Sequence, residues 1–205
     1  EEERIAGHYV FSGNPGTGKT EVARKLGTIF KAMGMLRSGH VVECRKADLV
    51  AGAVGQTAIK TRQKCEEALG GILFVDEAYE LVNTEPTGNK FSSTFDEEAY
   101  TEIMAFMENN RHRVCVIFAG YANLMEKFLD ANDGMRSRVT KVVHFPDYSA
   151  NELVQILALM AQKEGFTFAP DFEDAAREAI AVRKKECAGK FANAREVREL
   201  FNKFK

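Results

Sequence analysis

Residues 13–20 of the chain, GNPGTGKT, have the residue types and the spacing of a loop that binds phosphate groups. Its glycines let the backbone curl so that successive N–H groups point at phosphate oxygens. Lys19 is suited to bridge the β- and γ-phosphates of ATP, and the hydroxyl of Thr20 is suited to ligate Mg²⁺. The expected nucleotide contacts in this phosphate loop are Asn14, Pro15, Gly16, Thr17, Gly18, Lys19 and Thr20. The alternative is a chance match in a glycine-rich turn.

The residues on both sides of the phosphate loop favour the binding interpretation. The apolar run at residues 8–11 is of strand type, and residues 21–33 are predicted to form an amphipathic helix. The apolar face predicted for this helix consists of Val22, Leu26, Ile29 and Phe30. The loop is thus expected at a strand-to-helix turn, where the helix N-terminus adds a partial positive charge.

A second motif, GILFVDE at residues 71–77, places two carboxylates directly after four apolar residues. The apolar run predicts a buried parallel strand whose carboxyl end meets the phosphate loop. Asp76 is then suited to hold Mg²⁺, directly or through water, and Glu77 to orient and deprotonate an attacking water. A second carboxylate favours hydrolysis over transfer to a bound acceptor. The alternative is a buried strand that ends in a solvated acidic turn.

Strand and helix patterns alternate up to about residue 147, which predicts an α/β fold. We expect a three-layer αβα sandwich with a parallel sheet over residues 1–147 and a small helical lid over residues 148–205. Residues 83–96 are predicted to be a long loop over the carboxyl edge of the sheet, followed by a helix from Phe95 to Asn110. Ser149 and Glu152 have the spacing of a capping box at the first lid helix.

Composition narrows the class of protein. The chain has 205 residues, of which 45% are hydrophobic and 28% charged, as in ordinary globular proteins. A net charge of −2 and the lack of a basic stripe argue against a nucleic-acid partner. No apolar run is long enough to span a membrane, so we expect no membrane partner. Scattered cysteines predict free thiols in the cytoplasm or another reducing intracellular compartment, plastids included. Because the chain starts shortly before the loop, we expect it to be part of a longer protein.

The ordered set of motifs resembles AAA+ ATPases. More narrowly, it is similar to the group that contains the red-type Rubisco activase CbbX, stage V sporulation protein K and the type VII secretion ATPase. The resemblance covers nearly the whole chain. It rests on GNPGTGKT (13–20), GGILFVDEAY (70–79), AGY (119–121), RSR (136–138), FPDYS (145–149) and FANAR (191–195).

The resemblance implies a homo-oligomer, a hexameric ring with ATP between subunits. It implies that Arg138 is the arginine finger that reaches into the neighbour's site, where a guanidinium stabilises charge on the transferred phosphoryl group. Arg136 is the second choice, and the alternative is a surface arginine paired with a carboxylate. Arg195 matches the sensor-2 arginine that contacts the γ-phosphate in cis. Its alternative is a solvated helix face shared with Arg198.

Two positions depart from the family pattern. The strand of the sensor-1 position ends in AGY, so that Tyr121 and Asn123 are both candidates for the polar role there. Relatives carry an aromatic residue in the pore loop where this chain has Ala53, and an alanine cannot grip a threaded peptide by stacking. Either Phe91 or Phe95 takes over the gripping role, or the domain does not thread.

The leading hypothesis is therefore an Mg²⁺-dependent ATPase that remodels a protein client, with Rubisco as one candidate. The alternative is a nucleotide-regulated assembly or scaffold domain with little threading, which Ala53 favours. Loading of DNA clamps is disfavoured by the charge. A GTPase is disfavoured because the chain has no N-K-x-D motif, and a small-molecule kinase would exclude water rather than activate it with Glu77.

Overall fold

The computed structural model of the protein describes residues 6–53, 55–82, 90–187 and 189–203. The chain forms two compact units. The sheet unit contains the chain up to Ser12 together with Lys19–His144, and the helical unit contains Gly13–Gly18 and Phe145–Lys205. Residues 13–18, which carry most of the phosphate loop, therefore group with the C-terminal helices. The sequence-based domain limits, 1–147 and 148–205, stay a prediction.

Five strands form one sheet, as the alternating pattern predicts. They are β1 (Tyr9–Gly13), β2 (Val41–Cys44), β3 (Ile72–Val75), β4 (Cys115–Gly120) and β5 (Lys141–Phe145), in the order β2-β3-β4-β1-β5. The pairs β2–β3, β3–β4 and β4–β1 are parallel. Every residue of β3 and β4 is buried, which explains why these strands are continuous apolar runs in the sequence. The predicted α/β fold with a parallel sheet is confirmed.

The sheet unit also contains six α-helices and one 3₁₀ turn among its described residues. The α-helices are α1 (Lys19–Ala32), α2 (Lys46–Leu49), α3 (Gln56–Glu67), α4 (Lys90–Asn109), α5 (Ala122–Asp130) and α6 (Asp133–Arg138), and the 3₁₀ turn is Ala78–Leu81. None of the helices in the described part of the chain is long and apolar enough to cross a membrane.

The buried face of α1 agrees with the predicted one at Phe30, and partly at Leu26, but not at Val22 and Ile29. The helix buries Ala23, Gly27 and Phe30, whereas Val22 and Ile29 are 39% and 49% exposed. The reason is a close backbone approach, because a Cβ atom on Gly27 would lie only 2.3 Å from the carbonyl oxygen of Gly39. Small residues therefore face the sheet where the two backbones approach, Phe30 is buried one turn further on, and Val22 and Ile29 point away.

Helix α4 begins earlier than predicted. It starts at Lys90, so the predicted loop is wrong from residue 90 onward, while residues 83–89 lie outside the described residues. A tertiary contact outweighs the polar composition of its first turns. Asp96 is buried there, and its Oδ2 accepts a hydrogen bond from Lys46 Nζ at 2.6 Å. Lys46 Nζ also donates to the carbonyl of Glu80 at 3.2 Å, which joins α2, α4 and the 3₁₀ turn.

The helical unit consists of α7 (Ala150–Lys163), α8 (Phe172–Glu186) and α9 (Ala194–Lys203), packed with residues 13–18. Its apolar core is formed by Leu153, Val154, Leu157, Ala161, Ala176, Ile180, Val197 and Phe201. The predicted capping box at the start of α7 is confirmed. Ser149 N donates to Glu152 Oε2 at 2.7 Å, and Glu152 N donates to Ser149 Oγ at 3.3 Å.

Candidate functional site

Three strands of the sheet unit end at one edge. β4 pairs with β3 on one side and with β1 on the other, with Val75 opposite Phe118 and Ser12 opposite Gly120. Neighbouring strands are about 4.8 Å apart, so the ends of β1 and β3 are separated by about 10 Å. Asp76 and Glu77 follow β3 directly, as predicted. Ligands of open α/β sheets bind outside this carboxyl edge.

The Asp76 carboxylate is half-buried and already faces a cation. Its Oδ1 accepts the backbone N–H of Glu77 at 3.2 Å, and its Oδ2 lies 3.4 Å from Nη2 of Arg45, the residue after β2. Because the Arg45 side chain is largely exposed, this ion pair is weak. A metal ion can therefore take the place of the Arg45 guanidinium beside the Asp76 carboxylate. Nothing in the sequence pattern singled out Arg45.

Glu77 has an unusual backbone conformation. Its φ of 54° and ψ of 37° lie in the left-handed region, which costs an L-residue other than glycine about 1–2 kcal/mol. This conformation turns the chain from β3 into the 3₁₀ turn, whose Ala78 and Leu81 are buried. Packing of that turn holds the strain at the residue predicted to be the general base.

A pair of tyrosines lies beside this turn. The ring of Tyr79 is 6.0 Å from the ring of Tyr121, the residue that follows β4. Burial, and secondarily the Glu77 carboxylate, raise the pKa of Tyr79 to about 12, so its hydroxyl stays protonated at neutral pH. Tyr121 is thus placed at the edge of the sheet, while the choice between Tyr121 and Asn123 as sensor 1 stays open.

Residues 13–18 of the phosphate loop lie in the helical unit, where the backbone carbonyls of residues 14–17 each accept a hydrogen bond. Thr17 Oγ1 donates to the carbonyl of Asn14 at 2.8 Å, and the Ala194 N–H donates to that of Gly16 at 3.1 Å. Asn193 Nδ2 donates to the carbonyl of Pro15 at 3.2 Å. The Tyr148 hydroxyl donates to that of Thr17 at 3.0 Å. These four hydrogen bonds, all from groups of the protein, define the shape of residues 14–17.

Arg195 is the second residue of α9 and lies next to this loop. A Cβ atom on Gly16, whose φ is 72°, would lie 2.0 Å from the Ala192 carbonyl and 3.0 Å from the Arg195 nitrogen. Only glycine fits at position 16, and its absence of a side chain brings the start of α9 against the loop. The Arg195 side chain is exposed and forms no hydrogen bond or ion pair with the described residues. Its position is suited to a phosphate contact in cis.

Arg138 lies at the end of α6 and contacts its own chain. Its Nη1 donates to the carbonyl of Gly134 at 2.7 Å, and its Nε lies 3.1 Å from Oε2 of Glu108 on α4. Arg136 forms an exposed pair with Asp130 at 2.7 Å. Both arginines thus adopt, within one protomer, the surface pairing that the sequence left as the alternative. The role of Arg138 as a finger stays a prediction about an assembly.

Comparison with known proteins shows the family. Residues 9–147 match the model of the ATPase family associated with various cellular activities (AAA), and residues 149–205 match the model of the AAA lid domain. The chain belongs to the AAA ATPase family. These matches confirm the resemblance to AAA+ ATPases that the motifs indicated.

Several curated relatives match almost the whole AAA chain. Protein CbbX of Cereibacter sphaeroides is 40% identical over 196 residues, which are 96% of the chain and 61% of that relative. The ribulose bisphosphate carboxylase/oxygenase activase of Cyanidioschyzon merolae is 38% identical, with 96% and 64% covered. Stage V sporulation protein K of Bacillus subtilis is 39% identical, with 96% and 59% covered. The AAA chain thus spans about three fifths of the length of these relatives.

A solved structure supports the fold alone. The AAA domain of FIGL-1, crystallised in complex with ADP, superposes with a TM-score of 0.59 at 17% identity and covers 85% of this chain and 54% of its own. The shared architecture is the α/β nucleotide-binding fold with its helical lid.

The AAA site also has the donor types that Mg²⁺ requires. The Thr20 hydroxyl and the Asp76 carboxylate are hard oxygen donors, both in the sheet unit. Among the described residues no group of three or more His, Cys, Asp or Glu side chains is clustered as for a metal ion. Mg²⁺ needs no such cluster, because it is usually bound by one or two carboxylates, substrate phosphates and water. The residues fit the expected ion.

Proposed function

We propose that this AAA chain is the ATP-binding and ATP-hydrolysing part of a ring-forming protein that remodels a client protein. The observation that carries the proposal is the Asp76–Glu77 doublet. It follows a fully buried strand, and its second member is held in a strained left-handed conformation. Such strain persists where packing over-determines it, which is typical of functional sites.

Binding is assigned to the phosphate loop and the first residues of α1. The N–H groups of Asn14, Gly16, Thr17 and Gly18 and the Lys19 ammonium bind the phosphates, with Arg195 adding a positive charge in cis. When bound, Mg²⁺ neutralises the developing phosphate charge, and Thr20 and Asp76 would hold it. Glu77 accepts a proton from the attacking water, a contribution of about 10²–10⁴ in rate.

Assembly is proposed to complete the site. Arg138 of one protomer reaches the nucleotide of its neighbour in a ring, with a hexamer as the expected state, and stabilises charge in the transition state. In the single protomer Arg138 pairs with Glu108, whose carboxylate is more than half exposed. An ion pair of this kind contributes about 1 kcal/mol or less, so it does not prevent exchange to a phosphate partner.

The client is proposed to be a protein, with Rubisco as a candidate. The support is a relative that is named as a Rubisco activase. The three buried cysteines of the sheet unit, Cys44, Cys65 and Cys115, are free thiols, and Cys187 of the helical unit is free as well. These thiols support the proposed location in the cytoplasm, a plastid or another reducing compartment.

A scaffold domain is the second candidate, and the pore loop favours it. Ala53 is exposed between α2 and α3 and offers no aromatic surface. Phe95 is half-buried within α4, and the side chain of Phe91 lies outside the described residues. In this case nucleotide binding would regulate assembly without threading of a client.

The test is ATP turnover per protomer, measured against protein concentration with Mg²⁺ present. We expect a rate that rises steeply and then saturates, because a neighbour completes each site. Lys19→Ala should abolish nucleotide binding, and Glu77→Gln should bind ATP without hydrolysing it. A flat, low rate in the wild type would favour the scaffold. Unchanged nucleotide affinity in Lys19→Ala would overturn the site itself.

A further inference from the structure

The side chain of Asn193 is a buried hydrogen-bond centre in the helical unit. It is 1% exposed. Its Nδ2 donates to the Pro15 carbonyl at 3.2 Å and to Asp147 Oδ1 at 2.9 Å, while its Oδ1 accepts the backbone N–H of Tyr148 at 3.0 Å. Both amide protons and the acceptor are therefore used. These bonds join the phosphate loop, the FPDYS segment and the start of α9.

The Asp147 carboxylate also binds the phosphate loop directly, at Asn14. Asp147 accepts from Asn14 Nδ2, with Oδ1 at 2.9 Å and Oδ2 at 3.1 Å. Asp147 is thus shared between a side chain of the phosphate loop and Asn193. The loop is bound to the C-terminal segments at residues 14, 15, 16 and 17, through one side chain and three carbonyls.

The orientation of these carbonyls fixes the direction of the N–H groups. In a trans peptide the C=O of one residue and the N–H of the next point in opposite directions, and the described chain has no cis peptide. The carbonyls of Pro15, Gly16 and Thr17 all point at the FPDYS segment and the start of α9, which supply their donors. The N–H groups of Gly16, Thr17 and Gly18 must therefore point away from them, side by side. Successive N–H groups on one side of a loop form an anion-binding nest.

We propose that Asn193 is a positioning residue that keeps the phosphate loop in its binding shape before the nucleotide arrives. The inference rests on the proposed function, since it concerns the same phosphate groups. A glycine-rich loop loses much backbone freedom when it is ordered. Hydrogen bonds from Asn193 and Tyr148 already order the loop in the folded protein. Binding of the nucleotide therefore does not carry the entropic cost of ordering it. Hydrogen bonds to the carbonyls also polarise the N–H groups of the same peptides.

The residue type at position 193 fits this role. Asn193 has a φ of 50°, in the left-handed region where asparagine and glycine are the residues commonly found. An aspartate would keep the acceptor for Tyr148 but lose both donors and face the Asp147 carboxylate. Asparagine thus supplies the backbone conformation and the two donors together.

The test compares ADP affinity in the full chain and two variants. Asn193→Gly keeps the left-handed backbone and removes the side-chain bonds, and we expect it to weaken ADP binding about tenfold, since bonds of this kind contribute about 1 kcal/mol each. Tyr148→Phe removes one hydroxyl, and we expect about threefold. The matched control is Tyr100→Phe, which removes a hydroxyl that donates to the Phe128 carbonyl at 3.4 Å in the sheet unit. Its ADP affinity should equal that of the wild type.

Amide hydrogen exchange without nucleotide separates positioning from general support. In Asn193→Gly we expect exchange of the Ala194 N–H, which donates to the Gly16 carbonyl at 3.1 Å, to rise about tenfold while α7 and α8 exchange as in the wild type. An equal rise across α7 and α8 would mean a structural role and would overturn the inference. Should Asn193→Gly not fold, Tyr148→Phe decides by the same two measurements.

The two proposals fail in different ways. If wild-type protein does not bind ADP, the proposed function fails. If the wild type binds ADP and both variants bind it equally well, the function stands and the positioning role of Asn193 is refuted.

Discussion

The left-handed backbone at Glu77 predicts that replacing this residue by glycine removes strain from the fold but abolishes ATP hydrolysis. Glycine reaches the left-handed region freely, so Glu77→Gly should remove a cost of about 1–2 kcal/mol that Glu77→Ala retains. Glycine also costs about 0.5–1 kcal/mol in chain entropy relative to alanine. The glycine variant should therefore be the more stable of the two by about 0.5–1 kcal/mol. Both variants should lack ATP hydrolysis because they lack the base.

Glu80 provides the matched control. It lies three residues further along in the same 3₁₀ turn, is exposed, and does not have a positive φ. Glu80→Gly should therefore be less stable than Glu80→Ala by about 0.5–1 kcal/mol, the opposite sign. The glycine-minus-alanine difference at Glu77 should exceed that at Glu80 by about 1–2 kcal/mol.

Thermal unfolding of the four variants without nucleotide measures this difference. For a chain of this size 1 kcal/mol corresponds to about 2–4 °C in Tm. If the Tm of Glu77→Gly does not exceed that of Glu77→Ala, the argument that packing holds a strained backbone at residue 77 is refuted. Retained hydrolysis in either variant would refute the role of Glu77 as base.

Three further predictions concern other parts of the molecule. Lys46→Met should lower the unfolding free energy in urea by about 3–5 kcal/mol, because it leaves the buried Asp96 carboxylate without its cation; the exposed Arg62→Met control should cost about 1 kcal/mol or less. Small amounts of Arg138→Ala protein should inhibit wild-type ATP turnover by more than their share, because each variant protomer disables a neighbour's site. Burial lowers the pKa of His8 from 6.5 to about 4, so the unfolded state binds more protons between these values and up to about 3 kcal/mol of stability is lost as the pH falls from 6.5 to 4.

Each of these three has a contrary outcome. Equal effects of Lys46→Met and Arg62→Met would contradict the burial argument. Strictly proportional loss of turnover on mixing Arg138→Ala with wild type would mean that the arginine acts within its own protomer. For His8, the matched variant is His8→Asn, which offers an acceptor for the Val116 N–H that now bonds Nδ1 at 3.0 Å. The pH dependence should be flatter in this variant, and an unchanged slope would exclude His8 as its source.

Features that depend on residues close together in the chain could be predicted from the sequence. GNPGTGKT predicted the phosphate loop and its place between strand and helix, since its chemistry lies within eight consecutive residues. The apolar runs predicted β3 and β4, because a strand buried on both faces needs no alternation. The capping box at Ser149 could also be predicted, because Ser149 and Glu152 are only three residues apart.

Features that depend on contacts between residues distant in the chain could not be predicted from the sequence. The face of α1 that is buried depends on how closely Gly27 approaches Gly39, which no helical period contains. The left-handed Glu77 follows from packing of the turn after it. Asn193 binds Pro15 across 178 positions of sequence. A side chain's type states which hydrogen bonds it can form, but only the folded chain decides which carbonyl lies within 3.2 Å of it.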